Sequence, residues 1–168
     1  MYNAEEIALW FLYKNNAEIK EHIAENDEYE VYEGISHLKL QKLLYYAQGV
    51  FLSLNNGEKL FSDKIMAWEH GPVVEKVYSI YRENGRKTID FVSSIESDEV
   101  IRKIEANANA SFTLNLVYDN FAIYTAWQLR DMTHEIGSPW DITVKTDGYN
   151  NEIKTTLIKD YFDKHVME

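Results

Sequence analysis

Two glutamate–histidine pairs are the residues of this sequence whose types could support catalysis or metal binding. Glu69-His70 and His134-Glu135 are each adjacent in the chain, so on a helix the two side chains of a pair would point about 100° apart. The sequence has no H-E-x-x-H pattern and no His-x3-His pair, the spacings that bring two imidazoles onto one metal. We therefore expect structural roles. His134 should form hydrogen bonds across a helix end, and His70 should lie at the entry to a helix.

Other sequence patterns for catalysis are absent. The chain has no G-x-S-x-G nucleophile elbow, no P-loop and no dinucleotide-binding fingerprint. It has no cysteine, which removes thiol nucleophiles, thiolate metal sites and disulfides and fits a reducing cytosol. A hydrolase that uses His134 and nearby acids, as metal ligands or as a general base, is the enzyme hypothesis that is left. We expect no enzyme activity and no cofactor.

The charge balance favours a basic protein partner over nucleic acid. The chain carries 17 basic and 28 acidic residues, a formal net charge of −11, so it repels a phosphate backbone on average. An acidic surface steers basic proteins towards it, although acidity also serves solubility alone. Segment 25–35 contains five of the acids. We expect it to be a solvated connector, and the alternative is a tyrosine-bearing contact for a basic partner.

The tryptophans could be taken for a platform on which nucleic-acid bases stack. Each of them, however, falls on a core face or at the start of an element, so we expect all four in the core: Trp10, Trp68, Trp127 and Trp140. Nucleic-acid binding is therefore not expected from these aromatic residues either.

The most apolar of the predicted helices spans 36–54. Ser36 can cap its N-terminus, and apolar residues then surround most of the helix, as expected for one with partners on two or three sides. One thin stripe is predicted to face water: Lys39, Lys42, Tyr46 and Ser53. Along it, the lysine stems should cover the core while their ammonium groups reach solvent. The alternative is that Gln41, Lys42 and Tyr46 face a groove that receives a partner segment.

A second buried helix is predicted over 113–133. Its core-facing residues fall on two adjacent faces: Val117, Phe121 and Tyr124, and Leu116, Ile123 and Trp127. Ala122 and Ala126 lie four residues apart, so a neighbouring helix could approach closely there. We expect that neighbour to be the helix 36–54, which would give two central helices.

The rest of the chain is typical of shorter helices with a small β element. Helices are predicted at 3–15, 73–84, 97–104, 138 onwards and 152–165. Pro72 is expected at the first position of the second of these, because its missing N–H would have no partner there. Ser97 or Asp98 should cap the third, and Ser138 followed by Pro139 should open the fourth. One short β pair is expected among 29–32, 64–68 and 89–92.

Three stretches of the sequence together resemble a known family. They read LKLQKLLYYAQG from residue 38, AW..GPVV..VY from residue 67 and LRDMTHEIGSPW from residue 129. In this order they resemble the Panacea antitoxin domain, the family of SocA-like antitoxins and phage-associated GepA-like proteins. The residues that carry the resemblance, as structural or partner-binding positions, are Leu40, Gln41, Lys42, Leu43, Tyr45, Tyr46, Trp68, Gly71, Pro72, Val73, Tyr78, Thr133, His134, Pro139 and Trp140.

The resemblance implies a function in binding. It implies an antitoxin that neutralises a cognate toxin by direct protein–protein contact and is encoded on a prophage or mobile element. The alternative is a proteolytic adaptor that delivers the toxin to an unfoldase-protease.

The expected fold follows from the predicted helices and the resemblance together. We expect a mostly α, compact single-domain bundle of about six helices around two buried central helices, with at most a small β element. The domain should span 1–168, with the motif-bearing core at about 36–140. No basic-then-apolar leader and no run of about 18 apolar residues is present. We therefore expect a cytoplasmic protein without a membrane partner.

Overall fold

The computed structural model describes residues 1–25 and 34–165. Over these ranges the chain forms eight α-helices and a two-stranded antiparallel hairpin: α1 (Ala4–Glu25), α2 (His37–Leu54), β1 (Met66–Trp68), β2 (Gly71–Val73), α3 (Glu75–Tyr81), α4 (Ile95–Glu105), α5 (Ala108–Phe121), α6 (Ala126–Thr133), α7 (Pro139–Thr146) and α8 (Thr155–His165). The predicted mostly helical class with a small β element is confirmed. The acidic segment and the possible strand at 29–32 fall largely outside the described residues.

Helix α2 lies at the centre of the protein. Every residue from position 39 to 52 is buried, and the helix packs against α1, α3, α5, α6, α8 and β2. Ser36 caps it as predicted, since its side chain accepts a hydrogen bond from the Lys39 N–H. Within the described ranges, no helix combines the length and apolar character needed to cross a bilayer.

The predicted helix 113–133 is two helices, α5 and α6, and this accounts for part of the larger helix count. Thr125 interrupts it by capping α6, and its side chain and that of Gln128 bond each other's backbone N–H groups. The break changes which residues face the core. Ile123 and Trp127 are therefore 76% and 58% exposed, and the prediction that both lie on a core face was wrong.

Pro72 lies in strand β2, not at a helix start as predicted. It pairs with Ala67 in the hairpin. The Ala67 N–H and C=O bond instead to the backbone at Asn151 and Asn150, on the side away from β2. Pro72 therefore occupies a position where no ladder hydrogen bond requires its missing N–H. Helix α3 begins after the strand, at Glu75.

Capping side chains set several other helix starts. Asn3 and Ser138 cap α1 and α7 as the sequence indicates. Ser94, rather than Ser97 or Asp98, caps α4, because Ser97 is the partner residue of the capping box three positions later. Asn107 caps α5.

Candidate functional site: a hairpin cluster beside an apolar groove

Polar side chains from α2, α6 and α7 meet at the β1–β2 hairpin. They bond backbone groups of the hairpin and so hold three helices against it. We call these side chains, together with the hairpin residues that surround them, the hairpin cluster: Gln41, Lys42, Trp68, Gly71, Pro72, Thr133, His134 and Trp140.

Lys42 is the buried cation of the hairpin cluster. Its side chain is fully buried, and its Nζ donates to the Pro72 carbonyl oxygen at 3.1 Å. Gly71 has a φ of +104°, and a Cβ there would lie 2.8 Å from the Lys42 Nζ and 2.9 Å from the Thr133 Oγ1. A glycine is therefore needed at 71, both for the backbone conformation and for the space that the ammonium group occupies.

Burial makes the charge of Lys42 costly. Burial first, and then the positive charge of Arg130, lower the pKa of Lys42 to about 7. Burial and the Lys42 charge in turn lower the pKa of His37 at the start of α2. Lys42 therefore titrates near neutral pH, and its ionisation is linked to the stability of the hairpin contact.

The predicted water-facing stripe of α2 is wrong for three of its four residues. Lys39, Lys42 and Tyr46 are all buried. The Lys39 Nζ donates to the Ala122 carbonyl oxygen at the end of α5 at 2.7 Å, where a cation is favoured. Beside them, the Gln41 Oε1 accepts from the Val74 N–H at 2.7 Å. The ammonium groups of Lys39 and Lys42 donate to backbone carbonyls of neighbouring elements instead of reaching solvent.

His134 makes the hydrogen bonds expected of it at a helix end. Its Nδ1 lies 2.7 Å from the Arg130 carbonyl oxygen, and its Nε2 lies 3.1 Å from that of Glu69 in the hairpin turn. Its ring lies against that of Trp140, whose Nε1 donates to the Trp68 carbonyl oxygen at 2.7 Å. Both imidazole nitrogens therefore face backbone carbonyls of the protein itself.

The second histidine is placed differently from the prediction. His70 is exposed in the hairpin turn and so does not lie at a helix entry, because β2 separates it from α3. Over the ranges 1–25 and 34–165, no three His, Asp or Glu side chains are grouped as metal ligands.

An apolar groove opens on the other side of α6. It has a volume of about 380 Å³, and α2, α5, α6 and α8 each contribute to its walls. Its main apolar side chains are Tyr46, Leu116, Phe121, Met132, Tyr161 and Phe162. The Tyr46 and Phe121 rings stack with centroids 4.1 Å apart. This volume lies in the range of pockets that bind small molecules or a partner's side chains.

Glu135 supplies the acid of the apolar groove. It lines the groove and follows α6 by two residues. Burial raises the pKa of Tyr161, and the Glu135 carboxylate, which the Tyr161 hydroxyl contacts, raises it further. Burial, Tyr161 and Glu135, in that order, raise the pKa of Tyr46. Glu135 and His134 therefore point to different places, and the pair does not form one catalytic site.

Comparison with known proteins shows the family of the chain. The family model described as "Antitoxin SocA-like, Panacea domain" matches residues 40–141. Antitoxin SocA of Caulobacter vibrioides (strain NA1000 / CB15N) is 32% identical over 139 residues, which cover 76% of this chain and 72% of that protein. The chain belongs to the SocA-like Panacea family. No solved structure matches it significantly.

The fifteen Panacea motif residues are spread over several parts of the fold. Eight form the hairpin cluster, and Tyr46 lines the apolar groove. Tyr78 stacks edge-on with Trp68, with centroids 4.8 Å apart, and Pro139 opens α7. The others are buried in the hydrophobic core: Leu40, Leu43, Tyr45 and Val73.

The sequence patterns did not identify most of the residues that line the apolar groove. A helix was predicted over 152–165, but no spacing connects its residues Tyr161 and Phe162 to Met132 or Glu135 on another element. Arg130 was also missed, although its charge acts on the Lys42 pKa. No local signal identifies such residues, because only the packing of separate helices brings them together.

Proposed function

We propose that this protein is an antitoxin that binds a cognate toxin directly and holds it inactive. The observation that carries the proposal is the Panacea family match over 40–141, together with the antitoxin relative. That span contains the whole hairpin cluster and two of the four groove walls in full. The geometry supports binding rather than catalysis, since the Lys42, His134 and Trp140 side chains of the cluster are used in internal hydrogen bonds.

The mechanism that these features support is occlusion. A toxin that binds RNA, nucleotides or a replication factor often has a basic face. A protein with a net charge of −11 is attracted to that face and can cover it. We place the complex in the cytoplasm, where such substrates are found. The likeness to phage-associated proteins supports an origin on a prophage or mobile element.

Co-expression tests the proposal. The product of the neighbouring open reading frame is expressed with and without this protein, growth is followed, and the mixture is passed over a gel-filtration column. We expect rescued growth and a co-eluting complex. Equal growth in both cultures, with two separate elution peaks, would contradict direct neutralisation.

The fate of the toxin separates two routes to neutralisation. Under occlusion, the toxin's half-life in cells is unchanged or longer when this protein is present. An adaptor for an unfoldase-protease would shorten it, and the shortening would disappear in cells that lack the protease. A shortened half-life would therefore replace occlusion by delivery while leaving the antitoxin function intact.

A further inference from the structure

Exposed apolar side chains lie close in sequence to residues that line the apolar groove. Phe112 lies on α5 one turn before Leu116, which lines the groove, and is 63% exposed. Ile136 follows the groove residue Glu135 and is 92% exposed. Single exposed apolar side chains are ordinary, but a largely apolar groove whose lining residues have further exposed apolar side chains near them in sequence is a candidate interaction surface.

The charge of the surface determines which partner suits the groove. No Lys or Arg of the described ranges forms an ion pair with Glu135. The Glu135 carboxylate is exposed and is available to a cation from outside. A second copy of this chain would bring another net charge of −11 and be repelled on approach. A basic partner is attracted instead.

The groove's shape suits a helix from that partner. Its walls come from four helices, with α5 and α8 contributing Leu116, Phe121, Tyr161 and Phe162, and the buried ring of Tyr46 on α2 also lines it. Amphipathic helices dock into such grooves by inserting apolar side chains spaced three or four residues apart. A cation on the flank of such a helix would meet Glu135.

We propose that the apolar groove receives an amphipathic helix of the toxin, which inserts apolar side chains between α5 and α8 and pairs a Lys or Arg with Glu135. This proposal rests on the proposed antitoxin function and names the surface that performs it. The groove then anchors the toxin, while the acidic surface around it covers the toxin's basic face.

Two pairs of matched variants test the groove, with the neighbouring open reading frame's product as the probe. Leu116→Lys places a charge in the groove, and Ile95→Lys places it on α4 at a residue 81% exposed. We expect the first to weaken binding about 30-fold or more, the size of an interface hot spot, and the second to leave it within about threefold. Glu135→Lys should weaken binding more than Glu99→Lys, which changes the net charge equally on α4.

Photocrosslinking gives a second measurement that does not depend on variant stability. A benzophenone amino acid replaces Phe112, and in the control it replaces Ile95. We expect the toxin to crosslink from position 112 and not from 95. The crosslinked toxin peptide should contain apolar residues three or four apart with a Lys or Arg between them.

Several outcomes would overturn the proposal. If Leu116→Lys and Glu135→Lys bind as tightly as the natural protein, the groove is not the site, while the antitoxin function stands. If the natural protein is a dimer without toxin and Leu116→Lys makes it a monomer, the groove is occupied by a second copy. If the crosslinked peptide is acidic, the pairing with Glu135 is wrong. If the natural protein itself neither binds nor neutralises, the antitoxin function fails first.

Discussion

At the scale of single residues, Lys42 is the least expected side chain in the protein. A buried ammonium group is costly unless it is paired, yet Lys42 is fully buried and its Nζ donates to a neutral acceptor, the Pro72 carbonyl oxygen. The cost is reduced when the amine is neutral, and the pKa of about 7 indicates that this happens near physiological pH. Burial of Lys42 beneath the hairpin on folding is therefore linked to release of its proton.

The first prediction concerns pH and Lys42. Its pKa is about 7 in the folded protein and near 10.4 when unfolded. Between these values the unfolded state binds more protons, so the free energy of unfolding should rise with pH, by up to about 1.4 kcal/mol per unit. Chemical denaturation at pH 7, 8 and 9 measures it.

Lys42→Met is the reference for that experiment, because it keeps the stem and removes the titrating amine. Groups away from Lys42 cancel in this difference, and burial keeps the pKa of His37 below its usual range in both proteins. The stability of the natural protein minus that of the variant should therefore increase from pH 7 to 9. A difference that stays level, or falls, would show that Lys42 is charged throughout this range.

The second prediction concerns Gly71. Gly71→Ala adds a Cβ within 3 Å of Lys42 Nζ and Thr133 Oγ1 at a φ of +104°. Gly137→Ala is the control, since Gly137 also has a positive φ, +84°, but has open space around it. Both variants carry the strain of a positive φ, so the difference between them reports the steric contact. Gly71→Ala should lower the free energy of unfolding by about 1–3 kcal/mol more than Gly137→Ala does. Equal losses in urea denaturation would show that the hairpin shifts without penalty.

At the scale of elements, the contact between α2 and α8 depends on a helical glycine. A Cβ at Gly49 would lie 2.3–2.6 Å from ring atoms of Phe162. The third prediction is that Gly49→Ala destabilises the protein, although alanine is intrinsically the better helix former by about 1 kcal/mol. The ring of Phe162, which also lines the groove, would have to move.

A double-mutant cycle checks the cause. Phe162→Leu makes room at this contact, so Gly49→Ala should cost less in the Phe162→Leu background than in the natural protein. Additive losses in thermal or urea unfolding would mean that the glycine is needed for some reason other than the Phe162 ring.

The elements also show which parts of the fold can be predicted from sequence. The cap at Ser36 and the apolar circumference of α2 are local patterns, and both were predicted correctly. The break at Thr125 was missed, yet its signal is present, because Thr125 and Gln128 have the spacing of a capping box. The burial of Lys39 had no such signal, since its acceptor is the Ala122 carbonyl on another helix.

In the candidate site too, local patterns were predicted and contacts between separate elements were not. His134 and Trp140 were marked by the third Panacea motif, but the hairpin carbonyls that they contact come from positions 69 and 68. The apolar groove draws its walls from four helices. Periodicity can assign a residue to a buried face, but it cannot say which residues of another helix lie opposite.

At the scale of the whole molecule, charge and groove should act on different steps of toxin binding. The net charge of −11 acts at long range, so it should raise the association rate and have little effect once contact is made. Apolar side chains in a groove act at contact range, so they should govern the dissociation rate.

The fourth prediction separates the two steps. Raising the salt concentration from about 50 to 500 mM shortens the Debye length from about 14 to about 4 Å, so the association rate with a basic toxin should fall by about tenfold or more. The dissociation rate of Leu116→Lys should rise at every salt concentration, whereas that of Glu99→Lys should match the natural protein. Stopped-flow or surface-based kinetics resolve both rates. An association rate that does not depend on salt would mean that the acidity serves solubility and that the groove alone selects the partner.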